Sequence, residues 1–298
     1  MNKMSLKLLK KLGFYGLLIV ILFFSLAPFY WQIVSSISLD RDLLQRPPQW
    51  VPEEPVFYRY GALLGVQESD TGTRLDISLS NAARNFRYSA ANSLIVAIIT
   101  TVLSLSLGTL AAYAITRLKF RGRQVIFVLI VGTKMIPPIS IVIPLFMAIR
   151  ALQLIDTKIA LILTYTSFML PLVIWIMAAF FRTVPWDIEE AALIDGCSPL
   201  SALFRVILPL STPGIVAATI VAFLFAWNEF FFALIFTNTL ASKTITKTIS
   251  EFSSAMGAGL DYGLVATGGI LSSLPPIAIA LFFQRFLIKG LTGGAVKQ

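Results

Sequence analysis

The chain has 298 residues, of which 57% are hydrophobic and 13% charged, and its net charge is +9. That balance excludes an ordinary soluble domain and places the protein among polytopic membrane proteins. One cysteine and no histidine exclude an intrachain disulfide framework, a His-based acid–base site and a His-ligated zinc site. The basic residues cluster at the ends of apolar blocks rather than on an amphipathic soluble face, so no nucleic-acid partner is expected.

Residues 1–11, MNKMSLKLLKK, form a basic N-terminus with four lysines. The apolar run that follows is too long for a secretory signal core and lacks a small-residue cleavage site. Residues 12–36 are therefore predicted to be a first span. Pro28 is expected to kink it, with Tyr30 and Trp31 at the membrane interface. Residues 37–89 are polar and rich in turn formers. They read as an external loop segment, either a plain connector or a small docking cap. The second span, 90–116, is rich in Gly, Ala, Ser and Thr, which suits close packing against other helices. RLKFRGR then puts four basic residues into seven. The third span, 124–147, holds Lys134, Pro137, Pro138 and Pro144 and is predicted to be broken or bent. Further spans are placed at 158–181, 213–236 and 263–288. The chain thus reads as all-α, a polytopic membrane protein with six transmembrane helices. Five of them form a core over 90–288, and 289–298 form a tail too Gly-rich for a stable helix.

Six spans put both termini on one side. Thirteen Lys and Arg fall in the two terminal segments and in 117–123 and 182–212, against four in the short loops opposite. The long segment 37–89 counts for little in this rule. Both termini and the loop 182–212 are therefore expected in the cytoplasm, in a multi-pass protein of the cytoplasmic (inner) membrane.

That loop contains EEAALIDGCSPLSALFRVILP, from Glu189 to Pro209. Asp187 with Glu190 three residues later reads as a capping box. Ala191, Ala192 and Leu193 are good helix formers, and Gly196 can take a left-handed stop. Ser198-Pro199 starts a second helix. Leu200, Leu203, Phe204 and Ile207 follow at helical spacing on one apolar face, and Pro209 is expected to end it. Thr212-Pro213 opens the next span. The loop is predicted to be a compact helix–turn–helix whose alanines let a partner approach closely, the alternative being an ordinary structured loop. Cys197 reads as a small filler within it.

Glu190, Ala191, Ala192, Gly196, Val206, Leu208 and Pro209 resemble the EAA loop of ABC importer permeases. That pattern is Glu-Ala-Ala, three residues, Gly, nine residues, an aliphatic residue, one residue, Leu-Pro, with Val206 here in place of the usual Ile. ANSLIVA in the second span, AWNEFFFALIF in the fifth and FLIKGLTGGAVKQ at the end are similar to the sugar-importer branch, and to its maltose-type second permease. The resemblance covers the chain from about residue 88 to its C-terminus. It implies a type I permease architecture, with 182–212 docking on an ATPase through Glu190, Ala191, Ala192, Asp195, Gly196, Val206, Leu208 and Pro209. The partners it implies are a second homologous permease subunit, two ATP-binding cassette ATPase subunits, an extracytoplasmic solute-binding protein and membrane lipid. ATP and Mg would be bound by the ATPase subunits. The chain has no G-x-x-x-x-G-K-[ST] loop of its own, and no cofactor or catalytic residue is expected in it.

Trp227, Asn228 and Glu229 sit in the middle of the fifth span. An ionisable residue there must face protein or water. Asn and Glu can hydrogen-bond sugar hydroxyls and Trp can stack on a pyranose face, which makes the three candidates for a translocation path. The alternative is that Glu229 braces a neighbouring helix. Lys134 poses the same choice. The expected function is ATP-driven import of a sugar, oligosaccharide or glycoside by alternating access. The alternatives are a permease for a non-sugar solute, such as an amino acid or polyamine, and a membrane-embedded transferase.

Overall fold

The computed structural model describes residues 3–66, 83, 85–252 and 261–295, and these are helices and loops with no strand. The helices are α1 (Lys3–Ile37), α2 (Asp40–Leu43), α3 (Tyr58–Leu64), α4 (Phe86–Arg117), α5 (Arg123–Gly132), α6 (Pro138–Ala151), α7 (Lys158–Thr183), α8 (Trp186–Ile194), α9 (Pro199–Ala202), α10 (Leu208–Leu210), α11 (Thr212–Asn228), α12 (Phe231–Phe236), α13 (Ile245–Ser250) and α14 (Tyr262–Ala295). Among the described residues, α1, α4, α7 and α14 are long and apolar enough to cross a membrane. Two bent helix pairs raise the number of candidate spans to as many as six.

The chain divides into two compact units, one of Met1–Arg87 and Ile249–Ser273, the other of Tyr88–Thr248 and Leu274–Gln298. In the first unit, α1 leaves its most apolar stretch wholly unburied, as a lipid-facing span does. Residues 37–66 are more than a plain connector. Arg59 on α3 is fully buried. Its guanidinium donates to the carbonyls of Ser36 (3.2 Å) and Ser38 (2.7 Å), and it pairs with Asp40 at 2.6 Å. One arginine thus closes a small cap over the end of α1. Residues 67–82 and 84 of the expected external segment lie outside the described residues.

In the second unit, α7 packs most extensively against α11. Met169, Val173, Met177 and Phe181 of α7 meet Tyr113 of α4 and Ala218 and Ala222 of α11 in one buried cluster. Lipid is as apolar as these side chains, so close packing rather than water exclusion holds such helices together. Gly214 shows how tight it is: a Cβ there would stand 2.4 Å from the Phe180 ring.

The third span is broken as its prolines predict. A 3₁₀ turn, Thr133–Met135, follows α5, and α6 leaves at 99° to the first segment. Ile136 is extended, the conformation forced on a residue before proline. The fifth span is also interrupted, which the sequence reading does not anticipate. The chain leaves the helix at Glu229 and re-enters at Phe231. A second correction concerns the tail. α14 runs through the glycines to Ala295, because a long, already nucleated helix absorbs about 1 kcal/mol per glycine; residues 296–298 lie outside the described residues.

The turn joining α6 to α7 is organised by Asp156. Its carboxylate accepts from the N–H groups of Asn238 (2.7 Å) and Thr239 (3.0 Å) and from the Ser242 hydroxyl. Beside it, Asn92 donates to the carbonyls of Leu240 and Lys243 and accepts from Lys158.

Candidate functional site

The loop between α7 and α11 is a helical hairpin, built from the sequence signals with two differences. α8 begins at Trp186, and its N-cap is Pro185 with no side-chain hydrogen bond. The capping box expected of Asp187 and Glu190 does not form. The Val184-Pro185 entry starts the helix two residues earlier, which moves Asp187 into the first turn, where its charge still suits the helix N-terminus. The stop is as expected. Gly196 has φ +90°, its N–H bonds to the Leu193 carbonyl, and the Cys197 N–H bonds to that of Ala192. This pair of bonds is a Schellman turn. Ser198 then caps α9, accepting from the Ser201 N–H at 3.3 Å, with Pro199 in the first turn.

The second difference lies at Pro209, which does not end the helix. Leu203–Ile207 widen into a π-helical turn before α10. Proline has no N–H and its ring crowds the carbonyl one turn back, so the backbone swells there instead of breaking. The chain turns by 83° only after Leu210, into α11.

The expected apolar face splits in two. Leu203 and Ile207 are fully buried, and Leu200 and Phe204 remain exposed. Of the residues implied in docking, Glu190, Ala191, Asp195, Gly196 and Pro209 are exposed, Val206 and Leu208 half-buried, and Ala192 buried. Ile194, at 85% exposure, projects furthest among the apolar residues of α8. Asp187, Glu190, Ala191 and Ile194 fall at helical spacing on the outer side of α8. They give a surface with little side-chain bulk at its centre and an apolar edge.

The inner side of α8 carries the residue that sequence reasoning missed. Glu189 is buried. It accepts from the Tyr113 hydroxyl at 2.6 Å and pairs with Arg117 at 3.3 Å. Arg117, on the last turn of α4, also donates to the carbonyls of Phe181 and Val184, and its guanidinium lies 4.7 Å from the Trp186 ring centroid. One guanidinium therefore closes the C-terminus of α7, holds the N-terminus of α8 and ties both to α4. Tyr113 also donates to the Pro199 carbonyl, which brings α9 into the same junction. The hairpin is fixed to the bundle on its inner side and open on its outer side.

A second candidate feature lies within the broken spans. A cavity of about 380 Å³ is lined by Thr133, Lys134, Phe168, Phe225, Glu229 and Phe231, among others, within the usual size range of small-molecule sites. Lys134 donates to the Phe168 carbonyl at 2.9 Å and stands 5.7 Å from the Phe225 ring centroid. Glu229 accepts from the N–H groups of Phe232 (3.0 Å) and Ala233 (3.3 Å). Its carboxylate caps α12 and makes the mid-span break tolerable. Trp227 and Asn228 do not line this cavity. Trp227 is buried and stacked on Phe223, with ring planes 13° apart, and Asn228 turns its amide back to the Leu224 carbonyl.

The model of the binding-protein-dependent transport system inner membrane components matches residues 104–293. The chain is 38% identical over 274 residues to the trehalose transport system permease protein SugB of Mycobacterium tuberculosis, covering 92% of this chain and 93% of that one. It is 35% identical over 272 residues to the trehalose/maltose transport system permease protein MalG of Thermococcus litoralis, covering 91% of each. A chain of a bacterial ABC transporter involved in alginate import has the same fold, with a TM-score of 0.75 and 22% identity over 96% of this chain and 98% of that one.

Proposed function

Because the chain belongs to the family of binding-protein-dependent transport system inner membrane components, we propose that it is the membrane-spanning subunit of an ATP-driven importer for a sugar or short glycoside. Its relatives are named as permeases for trehalose and maltose, and these supply the substrate class. The relatives are transport proteins, and no catalytic role is proposed for this chain. A second permease, two ATPase subunits and an external binding protein complete the assembly, with 182–212 and both termini in the cytoplasm of a cell whose inner membrane holds the bundle.

The observation that carries the reading is the hairpin of α8–α10, locked on its inner side by Tyr113, Arg117 and Glu189 and bare on its outer side. A part pushed by a motor must be rigid toward the load and free toward the motor. Closure of the ATPase pair on nucleotide would move the hairpin, and Arg117 would pass that displacement to α4 and α7. The ATPases thus bias a two-state bundle by differential contact. Glu190, Ala191, Asp195 and Gly196 form the docking face; Val206, Leu208 and Pro209 shape the turn behind it. The cavity between Lys134 and Glu229 is part of the translocation path. Lys134, the Glu229 carboxyl and the Thr133 hydroxyl offer hydrogen bonds to sugar hydroxyls, and the aromatic rings offer flat apolar faces.

Reconstitution with the partner subunits in proteoliposomes tests this. Trehalose or maltose, delivered by the binding protein, is expected to stimulate ATP hydrolysis and to accumulate inside. Stimulation by an amino acid or polyamine with no response to any saccharide would overturn the substrate class.

A further inference from the structure

We propose that a basic groove at the junction of α4, α5 and α7 binds the phosphodiester headgroup of an anionic phospholipid. The groove has a volume of about 230 Å³ and is lined by Ile115, Thr116, Arg123, Gln124, Phe127 and Arg182. Two guanidinium groups meet there. That of Arg182 lies 5.4 Å from the Phe127 ring centroid, and Arg123 donates to the Leu118 carbonyl at 3.2 Å. Neither forms an ion pair among the described residues. Two oriented forks with most of their donors unused match the several acceptor oxygens of a phosphate.

The start of α5 adds to this field. Its N-cap is Gly122, with φ +84° and no side-chain cap, so the first-turn N–H groups are left for an anion beside Arg123 and Gln124. Lys119 and Arg121 lie in the same short connection between α4 and α5. The groove therefore selects negative charge over a zwitterion.

A lipid is favoured over a free phosphate by what adjoins the groove. α5 has no buried residue, and Val125, Ile126, Val128 and Leu129 on it are all exposed and apolar. A headgroup in the groove would lay its acyl chains along that helix. The polar pocket and the apolar face together describe one amphipathic ligand.

Native mass spectrometry of the assembled transporter, exchanged into mixed phosphatidylglycerol and phosphatidylcholine, tests the assignment. The wild-type assembly is expected to retain phosphatidylglycerol in preference. Each of Arg123→Gln and Arg182→Gln should weaken that retention about fivefold, and the charge-keeping Arg182→Lys should weaken it less than Arg182→Gln. Excess inorganic phosphate should not displace the lipid. Equal retention of the two lipids by the wild type, or unchanged retention by the double Gln variant in an intact assembly, would overturn the proposal. Displacement by inorganic phosphate would overturn it as a lipid site.

Discussion

Arg117 is the residue on which the hairpin turns. Its guanidinium serves a carboxylate, two carbonyls and an indole ring in a buried position. Arg117→Ala leaves Glu189 charged and unpaired, a loss of about 3–5 kcal/mol, read as a lower unfolding temperature of the purified protein and loss of transport. Arg117→Lys should recover only part of it, because an ammonium cannot reproduce the planar fork. Glu190→Gln changes an exposed carboxylate and should leave unfolding within about 0.5 kcal/mol while weakening association with the ATPase. Of the adjacent glutamates, Glu189 is buried against Tyr113 and Arg117 and Glu190 is exposed. The sequence marks Glu190 through the loop pattern and offers Glu189 only as a charge suited to a helix N-terminus; its inward pairing is hidden, since its partner Tyr113 lies 76 residues away and no periodicity links them.

Asp156 allows a pH test at the same scale. Burial favours its neutral form, but hydrogen bonds from the Asn238 N–H, the Ser242 hydroxyl and the Thr239 N–H outweigh that and hold its pKa down to about 2, from an ordinary 3.8. The stability contributed by the ionised group is fully present above about pH 4 and is lost as pH falls through about 2. Asp156→Asn should therefore destabilise the protein at neutral pH by about 1 kcal/mol, allowing for solvent screening. The gap between variant and parent in thermal unfolding should close on acidification below pH 4; a gap constant with pH contradicts the assignment.

At the scale of elements, the turn at Gly196 sets the angle between α8 and α9. Its φ of +90° is open to glycine and strained for other residues. Gly196→Pro forces φ to about −65° and is expected to leave membrane insertion normal while ATPase subunits no longer co-purify. Retained co-purification and uptake would remove the docking role from this turn. The break between α11 and α12 gives a parallel prediction. Glu229→Ala uncaps α12, which costs about 1 kcal/mol, and removes the carboxylate from the cavity. Uptake should fall more than stability does. Lys134→Ala, an exposed position, should lower uptake with unfolding unchanged.

These elements also show what local sequence can and cannot convey. The Schellman turn, the Ser198 cap and the proline break of the third span were legible, because each depends on one residue's own backbone chemistry. The continuation of the helix past Pro209 was not, since whether the backbone swells or stops depends on packing of Leu203 and Ile207 into the bundle. WNEF reads as polar residues in the middle of one span, and only the fold shows that the helix breaks there and that the Glu229 carboxylate caps the helix that follows.

At the scale of the whole molecule, the proposed function has the chain convert a movement made elsewhere into a rearrangement of helices. The apolar blocks made the membrane assignment legible from composition alone. The cap closed by Arg59 was hidden, because that residue gathers the carbonyls of Ser36 and Ser38 and the Asp40 carboxylate from a stretch that reads as polar loop. The central claim is that α8–α10 form the handle gripped by the ATPase. Cys197, the chain's single cysteine, sits at the turn of that handle and is half-buried. A photoactivatable cross-linker on Cys197, in inside-out vesicles holding the assembled importer, tests the claim most directly. The account predicts a covalent product with an ATPase subunit whose yield changes when ATP is bound. Cross-linking to no ATPase with or without nucleotide, or labelling of Cys197 only from the outer face of the membrane, would contradict it.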